Sequence, residues 1–477
     1  MSADYQTPGL AIIGAGPAGL SAAVEAASHG VPCRLFDEQG APGGQIYRAL
    51  ESTPLRERSL LGADYWRGGE LIESLRHGIE AGLIDYRPEH TLWQLNRERE
   101  LGTLARGRAA LTQASQVIVA SGAQERPFPV PGWTLPGVMG AGAAQVLLKS
   151  SGVALDQPLV LAGCGPLLLL VAAQYLRAGV PVAALLDTSP KDALRRAAPY
   201  LPAALGAPDY LLKGIKLIRE LRRHGVNIVR GVEALRAEGD GQLERVGFKR
   251  QGQWQEIIAK TLLLHQGVVP NVQLSRALSC RHRWREDQLC WVPELDPWGE
   301  SDAQDIFFAG DGGGIVGAEA SKLQGRLSAL QVAARLGAIT AARRDEIARP
   351  VRRALARELR IRPFLDALYR PNEAWRRPSD ETLVCRCEEI DAGQVRAAVR
   401  AGCSGPNQLK AFLRCGMGPC QGRMCGLTVA ELIGETQGRP TAEVGYYRLR
   451  SPIKPITLGQ LAELEIPEPR ASKTEVG

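Results

Sequence analysis

The residues with the most chemistry to offer are thiols. Six of the ten cysteines, Cys385, Cys387, Cys403, Cys415, Cys420 and Cys425, fall within 41 residues, whereas Cys33, Cys164, Cys280 and Cys290 are scattered. Met1–Gly9 lacks the basic segment of a secretory leader and runs into an apolar strand, so clustered thiols point to metal ligation rather than a disulfide framework. Cys385-Arg386-Cys387 is followed after 32 residues by Cys420 and after four more by Cys425. Two thiolate pairs folded together would form a four-sulfur site. Tetrahedral sulfur does not choose between iron and zinc. Cys403 and Cys415 stand outside the pattern, with Cys415 the alternative ligand.

Two short helices must bring those pairs together. Asp391 to Ala401 opens with Asp391 and Gln394 in capping-box relation, and Asn407 to Arg414 follows. The turn Gly416-Met417-Gly418-Pro419 is expected to feed Cys420 into the next helix, whose N-terminal dipole would stabilise negative sulfur.

A second kind of site lies at the other end of the chain. Leu10-Ala11-Ile12-Ile13 reads as a buried strand, followed by Gly14-Ala15-Gly16-Pro17-Ala18-Gly19 and an Ala-rich helix to about Ser28. Gly14 permits a tight turn, Gly16 lets backbone approach a pyrophosphate, and Gly19 lets helix and strand pack closely. The helix N-terminus that begins at Pro17 and Ala18 favours negative charge. Strand Cys33 to Phe36 ends at Asp37, placed to accept hydrogen bonds from a ribose, with Glu38 the less favoured acceptor. The glycines alone leave NAD and FAD undecided.

The pattern repeats within the chain. Leu159 to Ala162 leads into Gly163-Cys164-Gly165-Pro166-Leu167-Leu168 and a helix to about Ala178, then strand Val182 to Leu186 ends at Asp187. Leu168 replaces the third glycine, so helix and strand must stand further apart or meet over smaller side chains. Asp187 would favour NAD over NADP if a nicotinamide bound; an adenine nucleotide held structurally and an empty fold are the alternatives. Cys164 reads as a small packed residue, and the lone His265 as hydrogen-bonded framework.

Three further segments, Pro42-Gly43-Gly44-Gln45, Val117 through Ser121-Gly122, and Ile306 through Gly310-Asp311, resemble landmarks of the two-dinucleotide-binding-domain flavoproteins, the family of thioredoxin reductase and the ferredoxin reductases. The resemblance implies FAD in the first domain, with Asp311 on the ribityl chain and Gly44 and Gln45 passing close to the cofactor. Asp311 read without it is a cap for the helix after Gly317. Neither nucleotide domain has a Cys-x-x-Cys or Cys-x4-Cys pair, so disulfide reduction is not expected.

The cysteine spacing is similar to the [2Fe-2S] module of bacterioferritin-associated ferredoxin, and Gly418-Pro419-Cys420-Gln421-Gly422 is close to the form it takes in flavoprotein dehydrogenase subunits. That resemblance implies Cys385, Cys387, Cys420 and Cys425 as ligands. Along nearly its whole length the chain resembles the FAD-binding A or alpha subunits of bacterial heteromeric amine dehydrogenases, among them opine oxidase, D-hydroxyproline dehydrogenase and hydrogen cyanide synthase. The resemblance implies an electron-transfer subunit of an oxidoreductase for CH–NH donors. It would serve a D-amino-acid-oxidase-like flavoprotein partner; further expectations are FMN at a subunit interface and a small ferredoxin-like subunit. The alternative is a self-sufficient NAD(P)H-dependent reductase, and a third reading is a nucleotide-binding scaffold with zinc. No residue is singled out as the base that attacks an amine.

The expected architecture is α/β. An FAD domain in two parts, 1–130 and 269–342, is split by a nucleotide-like domain at 131–268; an Arg-rich linker (343–380), the [2Fe-2S] module (381–433) and a tail for subunit contact (434–477) follow. A chain of 477 residues, 45% hydrophobic and 23% charged, has the composition for such cores. The net charge of +7 is concentrated between Ala341 and Arg377, where eleven Arg meet five acids. With no recognition motif and only 5% aromatic residues, this reads as a solvated helical face or a docking surface, not a nucleic-acid site. The longest apolar stretch, Leu167 to Ala173, is too short to span a bilayer. A cytoplasmic location, peripheral to a membrane through the electron acceptor at most, is expected.

Overall fold

The computed structural model describes residues 8–464. Strands Leu10–Ile13 and Gln116–Val119 are buried along their whole length, as apolar strands covered on both faces must be. They sit at the centre of a parallel sheet in the order Ile306–Phe308, Gln116–Val119, Leu10–Ile13, Cys33–Phe36, Ile84–Arg87. Helix Pro17–Ser28 packs on this sheet and against helix Ala318–Arg335, which shares the same core. The helices meet at backbone distance: a Cβ on Gly325 would lie 2.0 Å from the carbonyl oxygen of Ala18.

The second domain repeats the plan. Its parallel sheet runs Val138–Gly140, Thr261–Gln266, Leu159–Cys164, Val182–Asp187, Asn227–Arg230. Each domain also carries a three-stranded antiparallel meander, Thr91–Leu95 to Arg108–Gln113 in the first and Val232–Glu238 to Gln253–Ile258 in the second. The chain leaves the first domain through Ala123–Glu125 and returns through Val268–Pro270, and these crossing strands pair antiparallel with each other. Leu168 is buried in the second core with Leu161, Val171 and Ala172, so a leucine spaces the helix where the first domain has glycine.

The Arg-rich stretch is helical but is less solvated than its composition suggests. Helix Ala341–Glu358 is capped by Thr340 and lies on Ala318–Arg335. The guanidinium groups of Arg344 and Arg352 sit 4.4 and 4.3 Å from the Trp298 ring centre. Arg362, Arg370 and Arg376 pair with Asp366, Glu286 and Glu431. Part of the charge is therefore engaged with the fold, while Arg343, Arg349, Arg353, Arg357 and Arg360 stay exposed as the expected solvated face.

The cysteine module begins with a small ribbon, Leu383–Cys385 against Ile390–Asp391. Helix Ala392–Arg400 has the full Asp391–Gln394 capping box, and helices Pro406–Leu413 and Gly426–Gln437 complete the unit. One expectation is corrected: Cys420 does not enter the next helix. That helix starts at Gly426 with Cys425 as its N-cap, because turns at Gly418–Gln421 and Cys420–Arg423 precede it. The module is fastened to both nucleotide domains by Trp133 Nε1 donating to the Leu383 carbonyl (2.7 Å) and Gln124 Nε2 to the Arg423 carbonyl (3.0 Å). The tail returns to the first domain, where Ile453 N donates to Trp93 O (2.8 Å) and Lys454 pairs with Glu38. Residues 465–477 of the expected contact tail lie outside the described residues. Among the described residues, no helix is long and apolar enough to cross a membrane.

Candidate cofactor and metal sites

The first glycine turn is built by close approach. A Cβ on Gly19 would stand 1.8 Å from the Gly14 carbonyl oxygen, and one on Gly14 would stand 2.5 Å from the Ala120 oxygen. Gly44, at φ +59°, brings the Pro42–Gln45 loop against the same turn, where its Cβ would lie 2.7 Å from the Gly16 Cα. Side chains are thus excluded from a backbone-lined cradle at the start of helix Pro17–Ser28, beside Ala18, the geometry that a pyrophosphate requires. Asp37 is buried at the end of its strand, accepting from Ala15 N and from Gln39 N (2.7 Å). Burial raises its pKa, against the pull of those two backbone donors.

The remaining expected residues converge on this cradle. Ser121 Oγ donates to the Asn271 carbonyl (3.2 Å), and Gly122 O accepts from Asn271 N (3.0 Å). Gly310 N donates to Gln324 Oε1 (3.0 Å), and a Cβ on Gly310 would lie 2.9 Å from that of Ala18. Asp311 Oδ1 accepts from Val316 N (2.7 Å) and Gly317 N (2.9 Å). One Asp311 oxygen therefore tightens the turn before helix Ala318–Arg335, but it does not cap that helix, whose N-cap is Gly317 without a side-chain hydrogen bond. The backbone cradle, the buried acid and the glycine approach surface fit FAD.

Lys149 is a site residue that spacing could not reveal. It projects from helix Ala141–Ser151 of the inserted domain and donates to Gln45 O (3.1 Å), Ile46 O (3.0 Å) and Gln145 Oε1 (3.0 Å). Three acceptors match the three hydrogens of an ammonium group. The inserted domain thereby holds the loop that lines the cradle, a contact between residues more than a hundred positions apart. The only sequence signal was a lysine on a helix whose other buried residues are Ala141, Ala144, Leu148 and the polar Gln145.

The second turn is different. Gly163, at φ +138°, is forced by strand Thr261–Gln266, since a Cβ there would lie 1.7 Å from the His265 oxygen. His265 is framework, as expected: its Nδ1 lies 2.8 Å from Glu125 Oε1, and its ring stands 3.4 Å from the Cβ position of Gly165. Asp187 Oδ1 accepts from Ser189 N (2.9 Å). Cys164 is buried, its sulfur 3.2 Å from Gln266 Oε1 and 3.5 Å from the Tyr369 carbonyl. The Arg-rich segment thus lies against the turn where a second pyrophosphate would have to approach.

In the cysteine module, the sulfurs of Cys385, Cys415 and Cys425 lie within 4.8 Å of one another, all in buried residues. Hydrogen bonds from Cys415 and Cys425 hold the Cys385 thiol far below its ordinary range, at about 2. Of the other two expected ligands, Cys387 is exposed and Cys420 half-buried. The structure therefore joins two of the four expected ligands, Cys385 and Cys425, adds Cys415 to them, and leaves Cys387 and Cys420 outside that group. Tyr447, absent from the sequence expectations, places its hydroxyl 3.5 Å from the Cys415 sulfur and 3.9 Å from that of Cys425. A buried group of thiols at a helix N-terminus is a donor set suited to a sulfur-ligated metal centre.

Comparison with known proteins agrees with both sites. Residues 8–337 match the pyridine nucleotide-disulphide oxidoreductase family, and residues 383–435 match the BFD-like [2Fe-2S] binding domain. The A component of opine oxidase from Rhizobium meliloti is 44% identical, over 95% of this chain and 87% of the relative. The chain belongs to the opine oxidase A-component family. Within that family's wider range, the HcnB component of hydrogen cyanide synthase from Pseudomonas aeruginosa is 35% identical over 95% of this chain and 98% of its own length. The fold is shared with the crystal structure of L-proline dehydrogenase from P. horikoshii, with a TM-score of 0.67 at 19% identity, covering 95% of this chain and 78% of that one. Like its relatives, this member of the opine oxidase A-component family is an oxidoreductase flavoprotein with a [2Fe-2S] domain, and such components belong to heteromeric enzymes.

Proposed function

We propose that this chain is the electron-transfer subunit of a heteromeric dehydrogenase that oxidises a CH–NH bond in an amino-acid-derived amine such as an opine or hydroxyproline. A partner resembling D-amino-acid oxidase binds and oxidises the amine. In this reading Gly14, Gly16, Gly19, Asp37, Gly44 and Asp311 hold FAD, and Cys385, Cys387, Cys420 and Cys425 hold the [2Fe-2S] centre. When bound, the flavin accepts electrons in pairs and the iron–sulfur centre carries them singly. The chain's own residues provide position: Lys149 fixes the Gln45 loop, Lys454 ties the tail to Glu38 beside the ribose acid, and Gln124 and Trp133 fasten the module to the nucleotide domains.

The observation that carries the reading is the fastening of a module with a buried thiol group onto the nucleotide domains, one of which carries the FAD-type cradle, within one chain. A self-sufficient NAD(P)H-dependent reductase is less well supported, because the second turn has Leu168 in place of glycine and the Tyr369 carbonyl against Cys164. FMN at a subunit interface and a small ferredoxin-like subunit remain compatible with the proposal. The test is anaerobic purification of the chain alone and with its co-expressed partner, with flavin, iron and sulfide quantified. The expected result is FAD and iron on the chain, no bleaching by NADH, and reduction by an amine only when the partner is present. Zinc in place of iron, or rapid bleaching of the lone chain by NADH, would overturn the proposal.

A further inference from the structure

We infer that Tyr447 is a hydrogen-bond donor that raises the reduction potential of the cluster site, its hydroxyl bonding to the sulfur of Cys425. The inference deepens the [2Fe-2S] reading above and rests on it. The Tyr447 hydroxyl donates to the Cys415 sulfur (3.5 Å) and stands 3.9 Å from that of Cys425. Tyr447 is 1% exposed, and a phenol buried so deeply ordinarily finds an oxygen or nitrogen partner. Among the described residues, its hydroxyl has these two sulfurs instead. Cys425 is one of the expected ligands, and a thiolate is a stronger acceptor than a neutral thiol such as Cys415 outside the ligand set. The hydroxyl hydrogen rotates to suit its acceptor, so it turns to Cys425 when that sulfur is charged.

Two glycines form the slot that aims the ring. A Cβ on Gly416, at φ +85°, would lie 2.5 Å from the Tyr447 Cζ, and one on Gly422, at φ +75°, would lie 2.6 Å from its Cδ2. The loop between Cys415 and Cys425 therefore closes on the phenol only because both positions lack side chains. Tyr447 itself comes from the tail, beyond the last helix of the module, Gly426–Gln437. Lys410 Nζ lies 5.0 Å from the centre of the same ring while donating to the Arg448 carbonyl (3.0 Å), which places positive charge beside the phenol. In a [2Fe-2S] centre four thiolates and two sulfides outweigh two ferric ions, so the centre is anionic and reduction makes it more so. A hydrogen bond to its sulfur therefore favours the reduced state and raises the potential. In the step itself one electron passes from the reduced flavin to the centre. The Tyr447 proton stays on its oxygen, and no ligand is exchanged.

The test is Tyr447→Phe, which keeps the ring in its slot and removes only the hydroxyl. Wild type and variant are purified anaerobically, iron, acid-labile sulfide and FAD per chain are quantified, and the centre is titrated against redox dyes with its reduced form followed by electron paramagnetic resonance. The expected result is wild-type iron and FAD in Tyr447→Phe, with the equilibrium constant for reduction lowered about tenfold, a downward shift of about 59 mV for a one-electron centre. Cys415→Ala is expected to keep the centre, and adding Tyr447→Phe to it should produce the same shift, because the bond that matters is to Cys425. A shift of less than twofold, a shift upward, or loss of iron from Tyr447→Phe would overturn the inference, since a donor that only tunes the potential is dispensable for assembly. Loss of iron from Cys415→Ala, or disappearance of the shift in that background, would overturn the assignment of Cys425 as the acceptor. All of these outcomes leave the iron–sulfur reading intact, whereas a wild-type chain free of iron would overturn both.

Discussion

At the scale of single residues, the most constrained positions are those where backbone meets backbone. Gly19 faces the Gly14 carbonyl so closely that even a methyl group would sit at 1.8 Å. The substitution Gly19→Ala is expected to destabilise the first domain by about 3 kcal/mol or more and to lower the flavin-to-protein ratio several-fold, as read by denaturant unfolding and absorbance; full flavin occupancy would contradict the cradle. His282 offers a test in pH. Its Nδ1 donates to the Cys280 carbonyl (2.7 Å) and Nε2 faces Ser275 Oγ (2.9 Å). Burial, and then the nearby Arg276, push its pKa from 6.5 down to about 3. The unfolded chain takes up a proton below pH 6.5 that the folded protein refuses, so stability falls as pH drops from about 6.5 towards 3, by a few kcal/mol in all. His282→Gln should flatten that part of the stability profile relative to wild type. An unchanged slope would show that the imidazole is not held neutral.

At the scale of elements, much of the cysteine module was legible because its signals are local. Asp391 and Gln394 specify a helix start through a capping box that involves residues only three apart, and the structure forms both of its bonds. Asp391→Ala is expected to cost about 1 kcal/mol, measurable as earlier loss of the iron–sulfur absorbance during urea unfolding, with little change in the flavin signal. The start of the following helix is not legible in the same way. Gly418-Pro419 has the form of an entry turn at Cys420, yet further turn residues carry the chain on to Cys425. The practical difference is that the helix dipole acts on Cys425, inside the buried group, rather than on the half-exposed Cys420.

At the scale of the whole molecule, three units are held together by shared apolar clusters and a few polar contacts. The ion pair of Arg376 with Glu431, whose side chains are 8% and 1% exposed, joins the Arg-rich segment to the last helix of the module. Glu431→Gln leaves the Arg376 charge buried without its counter-ion, an expected loss of about 3–5 kcal/mol. Replacing both partners together with Met and Leu should cost much less, and equal losses in the single and double variants would show that the pair is not coupled. The contrast is best read by calorimetry together with iron content, because a loosened module is expected to shed its metal before the nucleotide domains unfold.

The sequence by itself determined the two glycine turns, the strand–turn–helix units around them, the repeat of one domain inside another and the clustering of thiols. Each of these depends on neighbours within a few dozen residues, where periodicity and steric rules act directly. Only the tertiary structure decided that Lys149 reaches across from the inserted domain to the Gln45 loop, that the Arg-rich segment lies against Cys164, and that Cys415 joins Cys385 and Cys425 in one buried group. Those contacts are chosen by how separately folded surfaces meet, and a pairing between distant positions leaves no spacing in the chain from which it could be read.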